Sequence, residues 1–413
     1  MKKGTLISVF VLSVSALLTG CVDDSYRGFV DVDMSVDNDV PHEVYMTLGE
    51  PSDITNGVSI TKGTGVIGSV DGFTGKTFHI YAFNQDDFTS METTAVQDTI
   101  RCLVDGSLDD PESLMGREAK WNPQTEFVEW ASGDRPIYYP IGEGSGHIYD
   151  FFAYYVDDME LTNEDFHRTE RSVMIDVEID GSQDLMSSKA APTEEQLAKI
   201  EDEKERVYRQ YCSYSYYTAS RTIPLHPNFI FKHHLVKLSF RIVPGGTPGM
   251  TKDVMVERID LESKYKGKFT VADKNNPTNV GVRFDKDLKL LTLSEKDGSE
   301  FVPRLVSTFS NGYVESGVIN DLGCLLVAPA ESYRMFVTLS ETRDGQPISG
   351  SETNDILIYN TSAEETSDFE AGHEYLITLT VYGKMDIRVG TEMIEWGSGG
   401  EIIADPEYKP GEK

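Results

Sequence analysis

Cysteine is scarce in this chain, with four among 413 residues, none in a C-x-x-C pair and none spaced to combine with histidine. That rules out a zinc finger and a thiol redox motif. Apolar runs long enough to cross a bilayer are missing too, since Leu6 to Leu18 falls short of the ~20 residues a spanning helix needs. Basic residues number 37 against 69 acidic ones, for a net charge of −32. A polyanion-binding surface needs clustered Lys and Arg, so no nucleic-acid partner is expected. Also absent are H-E-x-x-H, a nucleophile elbow, a Walker loop, a spaced calcium loop and any solenoid repeat. No metal, cofactor or enzymatic activity is therefore expected.

What is present begins at the N-terminus. Lys2 and Lys3 precede the apolar run, which closes in Leu18-Thr19-Gly20-Cys21. Small residues at that end mark a cleaved secretion signal over residues 1–20. Leu-Thr-Gly-Cys resembles the bacterial lipobox, in which the cysteine becomes the first mature residue and carries acyl chains, palmitate among them. Each buried methylene adds ~0.8 kcal/mol, and two or more chains anchor stably. Cys21 is the expected lipidation site, and everything after it is expected to lie outside the inner membrane. Cys102, Cys212 and Cys324 then remain, enough for one internal disulfide or for unpaired thiols.

The mature chain of about 390 residues suits two domains. Most of it alternates with period two between Gly, Asn, Asp or Pro, the pattern of half-buried antiparallel strands. Val30, Val32, Met34 and Val36 alternate cleanly with Asp31, Asp33, Ser35 and Asp37. Further strands are predicted at residues 76–83, 148–156, 172–179, 229–243, 254–261, 288–293, 323–328, 335–340, 375–382 and 386–396. The fold class is mainly β, with two Greek-key β-sandwiches. One surface helix is predicted in the charged run of about 192–211, opened by Pro192 and Glu194-Glu195. The prolines at 224 and 227 place the boundary between an N-terminal sandwich, 21–225, and a C-terminal one, 226–413. Trp121, Tyr154, Phe231, Leu235, Phe240 and Trp396 are expected in the cores.

Several residues invite a chemical reading and are read structurally. Gly63 to Gly68 satisfies G-x-G-x-x-G, but a strand follows where a dinucleotide site needs a helix. His233 and His234 are adjacent, so a strand sends them to opposite faces, one packed and one exposed. The acidic pairs at 86–87, 109–110 and 157–158 are expected as solvated charge. The cluster Tyr208, Tyr211, Tyr214, Tyr216 and Tyr217 forms either a binding patch or alternating core tyrosines.

Seen together, several segments resemble the fimbrillin family of Bacteroidetes. They are Lys76 to Phe83, Trp121-Asn122, Ile137 to Pro140, Asp150 to Tyr155, Asp184-Leu185-Met186, Phe231 to Phe240 and Ile394 to Gly400. The resemblance covers nearly the whole mature chain. It implies two transthyretin-like sandwiches, transport to the outer membrane, and assembly with other subunits, of its own kind or accessory, into adhesive fimbriae. It also implies donor-strand exchange. The first strand, through Val30, Val32, Met34 and Val36, would leave its groove, and a C-terminal strand through Met385, Ile387, Val389, Ile394 and Trp396 would fill the groove of a neighbour. Lys62, the first Lys or Arg beyond Arg27, is the expected protease cleavage site. Asp98-Thr99-Ile100 resembles the O-glycosylation acceptor of the same phylum, with the glycan on Thr99. The alternative reading is a monomeric surface lipoprotein binding a glycan or host ligand.

Replacing Cys21→Ser removes the acylation site and is expected to leave a soluble or mislocalised precursor. Labelled fatty acid measures this directly, and continued label in the mutant would defeat the assignment.

Overall fold

The computed structural model describes residues 40–51, 67–84, 102–105, 114–131, 135–141, 147–157, 159–169, 172–201, 203, 214–220, 224–245, 254–273, 280–295, 299–306, 321–343, 346–348, 350–360 and 368–394. The described chain is mainly β. Its first half contains β1 (Thr47–Gly49), β2 (Thr77–Asn84), β3 (Cys102–Val104), β4 (Arg117–Asn122), β5 (Phe127–Trp130), β6 (Tyr149–Val156), β7 (Phe166–Arg168), β8 (Ser172–Glu178) and β9 (Leu185–Lys189). Next come β10 (Asn228–Ile230), β11 (Lys232–His233), β12 (Val236–Pro244), β13 (Val254–Lys264), β14 (Lys266–Asp273), β15 (Gly281–Phe284), β16 (Leu288–Thr292) and β17 (Arg304–Leu305). The last are β18 (Asp321–Val327), β19 (Ser332–Arg343), β20 (Gln346–Pro347), β21 (Glu352–Tyr359), β22 (Glu374–Gly383) and β23 (Asp386–Ile394).

These strands form two sandwiches. In the first, the sheet β11-β9-β6-β2-β4-β5 packs on the sheet β15-β14-β8-β7. Alternation in Ser172–Glu178 sends Val173, Ile175 and Val177 inward, where they meet Tyr81, Phe83, Phe152, Tyr154 and Phe269. Tyr149–Val156 is apolar on both faces because both are covered. Phe152 and Tyr154 face the facing sheet, while Phe151 packs on Tyr214 and Tyr155 on Phe73. Phe73, Phe78 and Phe231 extend that outer cover with ring centroids 4.8–5.8 Å apart. In the second sandwich, β18-β12-β22-β23 faces β16-β13-β19-β21. Val236, Leu238, Phe240 and Leu379 fill its core against Ile259, Leu261, Met335 and Val337.

The expected boundary at residues 225 and 226 is crossed by pairing. Strand β10 lies parallel to β1, β11 pairs with β9, and the hairpin β14–β15 completes the first sandwich by pairing with β8. Strands β13 and β14 are one nearly continuous run, interrupted only at Tyr265. Tyr265 packs against both cores, and its carbonyl accepts from Ile179 N at 2.8 Å. Nearby, Gly181 (φ +103) holds a backbone conformation that side chains avoid, and its carbonyl accepts from Leu326 N at 2.8 Å.

The predicted strand 229–243 is three strands, because each piece serves a different sheet. Within it neither histidine is exposed in the way a simple strand implies. His233 is buried with Nδ1 2.9 Å from Asp184 Oδ2, and partly buried His234 has Nε2 2.7 Å from Ser187 Oγ. Burial, reinforced by His233 and Lys232, pushes the His234 ring down to about 3, so it stays neutral. The predicted helix is shorter than expected where described, Glu194–Ala198, with Thr193 and Gln196 capping each other reciprocally; residues 204–213 lie outside the described residues. Trp121, Tyr154, Phe231, Leu235 and Phe240 are buried as expected, whereas Trp396 lies outside the described residues. Tyr214 and Tyr216 are core residues, not a surface patch.

Because β14 belongs to one sandwich and runs straight into the other, the two are expected to unfold together. Phe269→Ala in β14 should cost ~3–5 kcal/mol and lower a single calorimetric transition. Two well-separated transitions in the variant would contradict this coupling.

Candidate assembly edge

The C-terminal hairpin places the candidate donor strand at the margin of the second sandwich. Strand β23 pairs antiparallel with β22, setting Ile387 opposite Val381, Val389 opposite Leu379 and Thr391 opposite Ile377. Alternation turns Ile387 and Val389 inward, where they are half-buried against the core, while Met385 in the turn is 74% exposed. Ile394 closes the ladder opposite Glu374. On the other face the Arg388 guanidinium lies 4.9 Å from the Tyr382 ring centroid. Beneath it Arg241 donates to Thr378 Oγ1 at 2.9 Å, and burial lowers the Arg241 pKa while Glu392 opposes that shift.

The two strands of the hairpin are held very differently. Strand β22 is paired on both sides, with β12 in parallel and with β23. A buried ion pair, Lys237 Nζ to Glu374 Oε2 at 2.9 Å, pins the start of β22 to β12, and Ser239 Oγ donates to the same carboxylate at 2.5 Å. Breaking such a pair strands a buried charge at a cost of ~3–5 kcal/mol. Among the described residues, strand β23 has a ladder on one side only. Towards β21, at the margin of the facing sheet, Thr391 Oγ1 donates to Tyr359 O at 2.7 Å, and Asn354 Nδ2 donates to Lys384 O, in the turn before β23, at 3.0 Å. Each half-buried Ile387 or Val389 contributes less than the ~1.5–3 kcal/mol of full burial. β23 is thus held by a ladder on one side, whereas β22 is held on both.

The remaining residues singled out from the sequence, Cys21, Val30, Val32, Met34, Val36, Lys62 and Thr99, lie outside the described residues, as do Cys212 and the side chain of Cys102. Cys324 packs, partly buried, against the first core. The amide of Asn360 is buried and donates to Asp368 O at 3.1 Å. The side-chain bonds from Thr391 and Asn354 had no signal in sequence, because they depend on where β21 runs.

No family model and no curated protein matches the chain. Among solved structures it is similar to a fimbrial protein from Bacteroides vulgatus at 13% identity, covering 86% of this chain and 99% of that one, with a TM-score of 0.42. It is also similar to candidate cell adhesion proteins from Bacteroides uniformis (16% identity, 87% and 98% covered, TM-score 0.44) and Parabacteroides distasonis (9% identity, 86% and 98% covered, TM-score 0.42).

Val389→Asp puts a carboxylate against Leu379 and should free β23 while leaving β22 in place. Hydrogen exchange of the amides at 387–393 should accelerate about tenfold, the effect of ~1.4 kcal/mol, with the bonds from β22 to β12 still protected. Equal acceleration of both strands would show that the hairpin opens as one.

Proposed function

We propose that this chain is a cell-surface adhesion protein, anchored through a lipid at Cys21 and serving as a structural or accessory subunit of a fimbrium assembled by β-strand exchange. The observation that carries the reading is the C-terminal strand, which lies at a sheet margin and presents alternating Ile387 and Val389 beneath a polar face. Strand addition draws its affinity from backbone hydrogen bonds and its register from side chains filling alternate pockets. A donor needs both features and must also be released at modest cost. Val30, Val32, Met34 and Val36 carry the same alternation at the other end of the chain, as a strand to be displaced should. Cleavage at Lys62 would separate that strand from the body. On this reading the partners are other subunits and the outer membrane, and the chain performs no catalysis.

Deletion of Met385 to Lys413 is expected to abolish heat-sensitive polymer ladders without stopping secretion, and Lys62→Ala to leave a lipidated monomer. Ladders persisting in both variants would refute strand exchange by these segments.

A further inference from the structure

On the first sandwich, away from β23, three aromatic side chains stand in solvent. Tyr45, Phe127 and Tyr138 are 45%, 38% and 47% exposed. Their exposure is imposed by the pleat of the backbone. Val44 and Met46 point inward, so Tyr45 between them points out; Val128 and Tyr139 are buried, so Phe127 and Tyr138 beside them are turned out. Backbone bonds fix the arrangement: Val44 N to Ile137 O at 2.8 Å, Val128 N to Met46 O at 2.9 Å, and Tyr139 N to His42 O at 2.9 Å. The Tyr45 ring lies 5.7 Å from Phe127 and 5.9 Å from His226. Glu43, bridged to Tyr138, accepts the Tyr45 hydroxyl at 3.2 Å. Its carboxylate raises the Tyr45 pKa, which keeps that hydroxyl protonated, and burial lowers the pKa of His226, which keeps that ring uncharged.

We infer that Tyr45, Phe127 and Tyr138 form a platform for a neutral oligosaccharide. A sugar ring has one face of C–H groups and an edge of hydroxyls. The C–H groups, slightly positive, suit the negative face of an aromatic ring, while the hydroxyls need acceptors such as Glu43. Area argues against a protein partner. Three rings at these exposures offer roughly 300 Å², well short of the ~800 Å² per partner of a stable protein interface. Charge argues against an anionic glycan, because Glu43 lies at the platform and the chain carries −32. The inference needs no strand exchange and holds for a monomer or a polymer.

The test is an array of neutral and anionic oligosaccharides probed with the detergent-extracted full chain. Binding to at least one neutral oligosaccharide is expected, weakened tenfold or more by Tyr45→Ala and by Phe127→Ala at unchanged melting temperature, and kept in Tyr138→Phe, which retains the ring. Polymer ladders should be unaffected by these substitutions, so failure here is separable from failure of the assembly reading. Binding to no neutral glycan, binding indifferent to both alanine variants, or variants that only dissociate a protein oligomer would overturn it.

Discussion

A single polypeptide run, Val254 to Asp273, passes through both sandwiches, and the rest of the described structure is arranged around it. Its first part is the middle of the sheet β16-β13-β19-β21, and its second part pairs with β8 and β15 in the other sandwich. A strand cannot bend sharply without losing its ladder, so the crossing constrains everything beside it. Tyr265 occupies the crossing and joins both cores, while the ammonium groups of Lys266 and Lys289 lie 5.3 and 5.1 Å from its ring centroid. Glu178 pairs with the same two lysines, at 3.2 and 3.3 Å, and so ties β8 to β14 and β16. These surface pairs contribute little each. Their effect is to orient strands that apolar burial already holds.

With the two cores joined in this way, the strands at the sheet margins are the ones with fewest bonds to break on local opening. Buried polar and ionic contacts tie the inner strands: Lys237–Glu374 between β12 and β22, His233–Asp184 between β11 and the residues before β9, and Lys189–Asp150 between β9 and β6. Each would leave a buried charge or polar group unpaired if its strands slipped by a residue, so each fixes register as well as contact. Strand β23 carries no such pair in its ladder with β22, and the half-burial of Ile387 and Val389 accords with that.

Strand existence was legible at several segments of local alternation, though the alternating strands Arg117–Asn122 and Lys266–Asp273 were not predicted. Ser172–Glu178, Tyr149–Val156 and Val254–Lys264 lie within a few residues of their predicted ranges because each side chain's surroundings follow from its parity. What was illegible is nonlocal. Lys266–Asp273 alternates clearly, with Lys266 and Lys268 out and Phe269 and Val271 in, yet nothing in that pattern says that its partner is β8, about ninety residues earlier. Strand β21 is disguised by Leu357 and Tyr359, which are about half exposed at a sheet margin. The split of residues 229–243 into three strands was hidden for a similar reason: Phe231 and Leu235 are buried like any strand residue, and only their partners reveal that the chain changes sheets between them. In the assembly edge, the alternation of Ile387 and Val389 could be read in advance. The weakness of the strand's outer margin could not.

Margins that can exchange strands can also aggregate, and the chain limits this in two ways. The first is charge. Strand β16 ends one sheet with Leu288 and Leu290 about half exposed, but Asp285, Lys286 and Asp287 precede it and Glu262 and Lys264 stand opposite the two leucines. On a molecule of net charge −32, a second copy approaching such an edge is repelled before backbone pairing can form. The second is side-chain bonding. Between β21 and β23, Thr391 of β23 donates to Tyr359 O of β21 and Asn354 of β21 donates to Lys384 O in the turn before β23, joining the two margins by side chains where the described residues form no ladder. Losing one such side-chain bond costs ~0.5–1.5 kcal/mol, and the rest of what holds β23 is its ladder with β22 and the half-burial of Ile387 and Val389. Parting β23 from β22 breaks none of the bonds between β22 and β12, so the ladder inside the sheet does not depend on the strand at its margin.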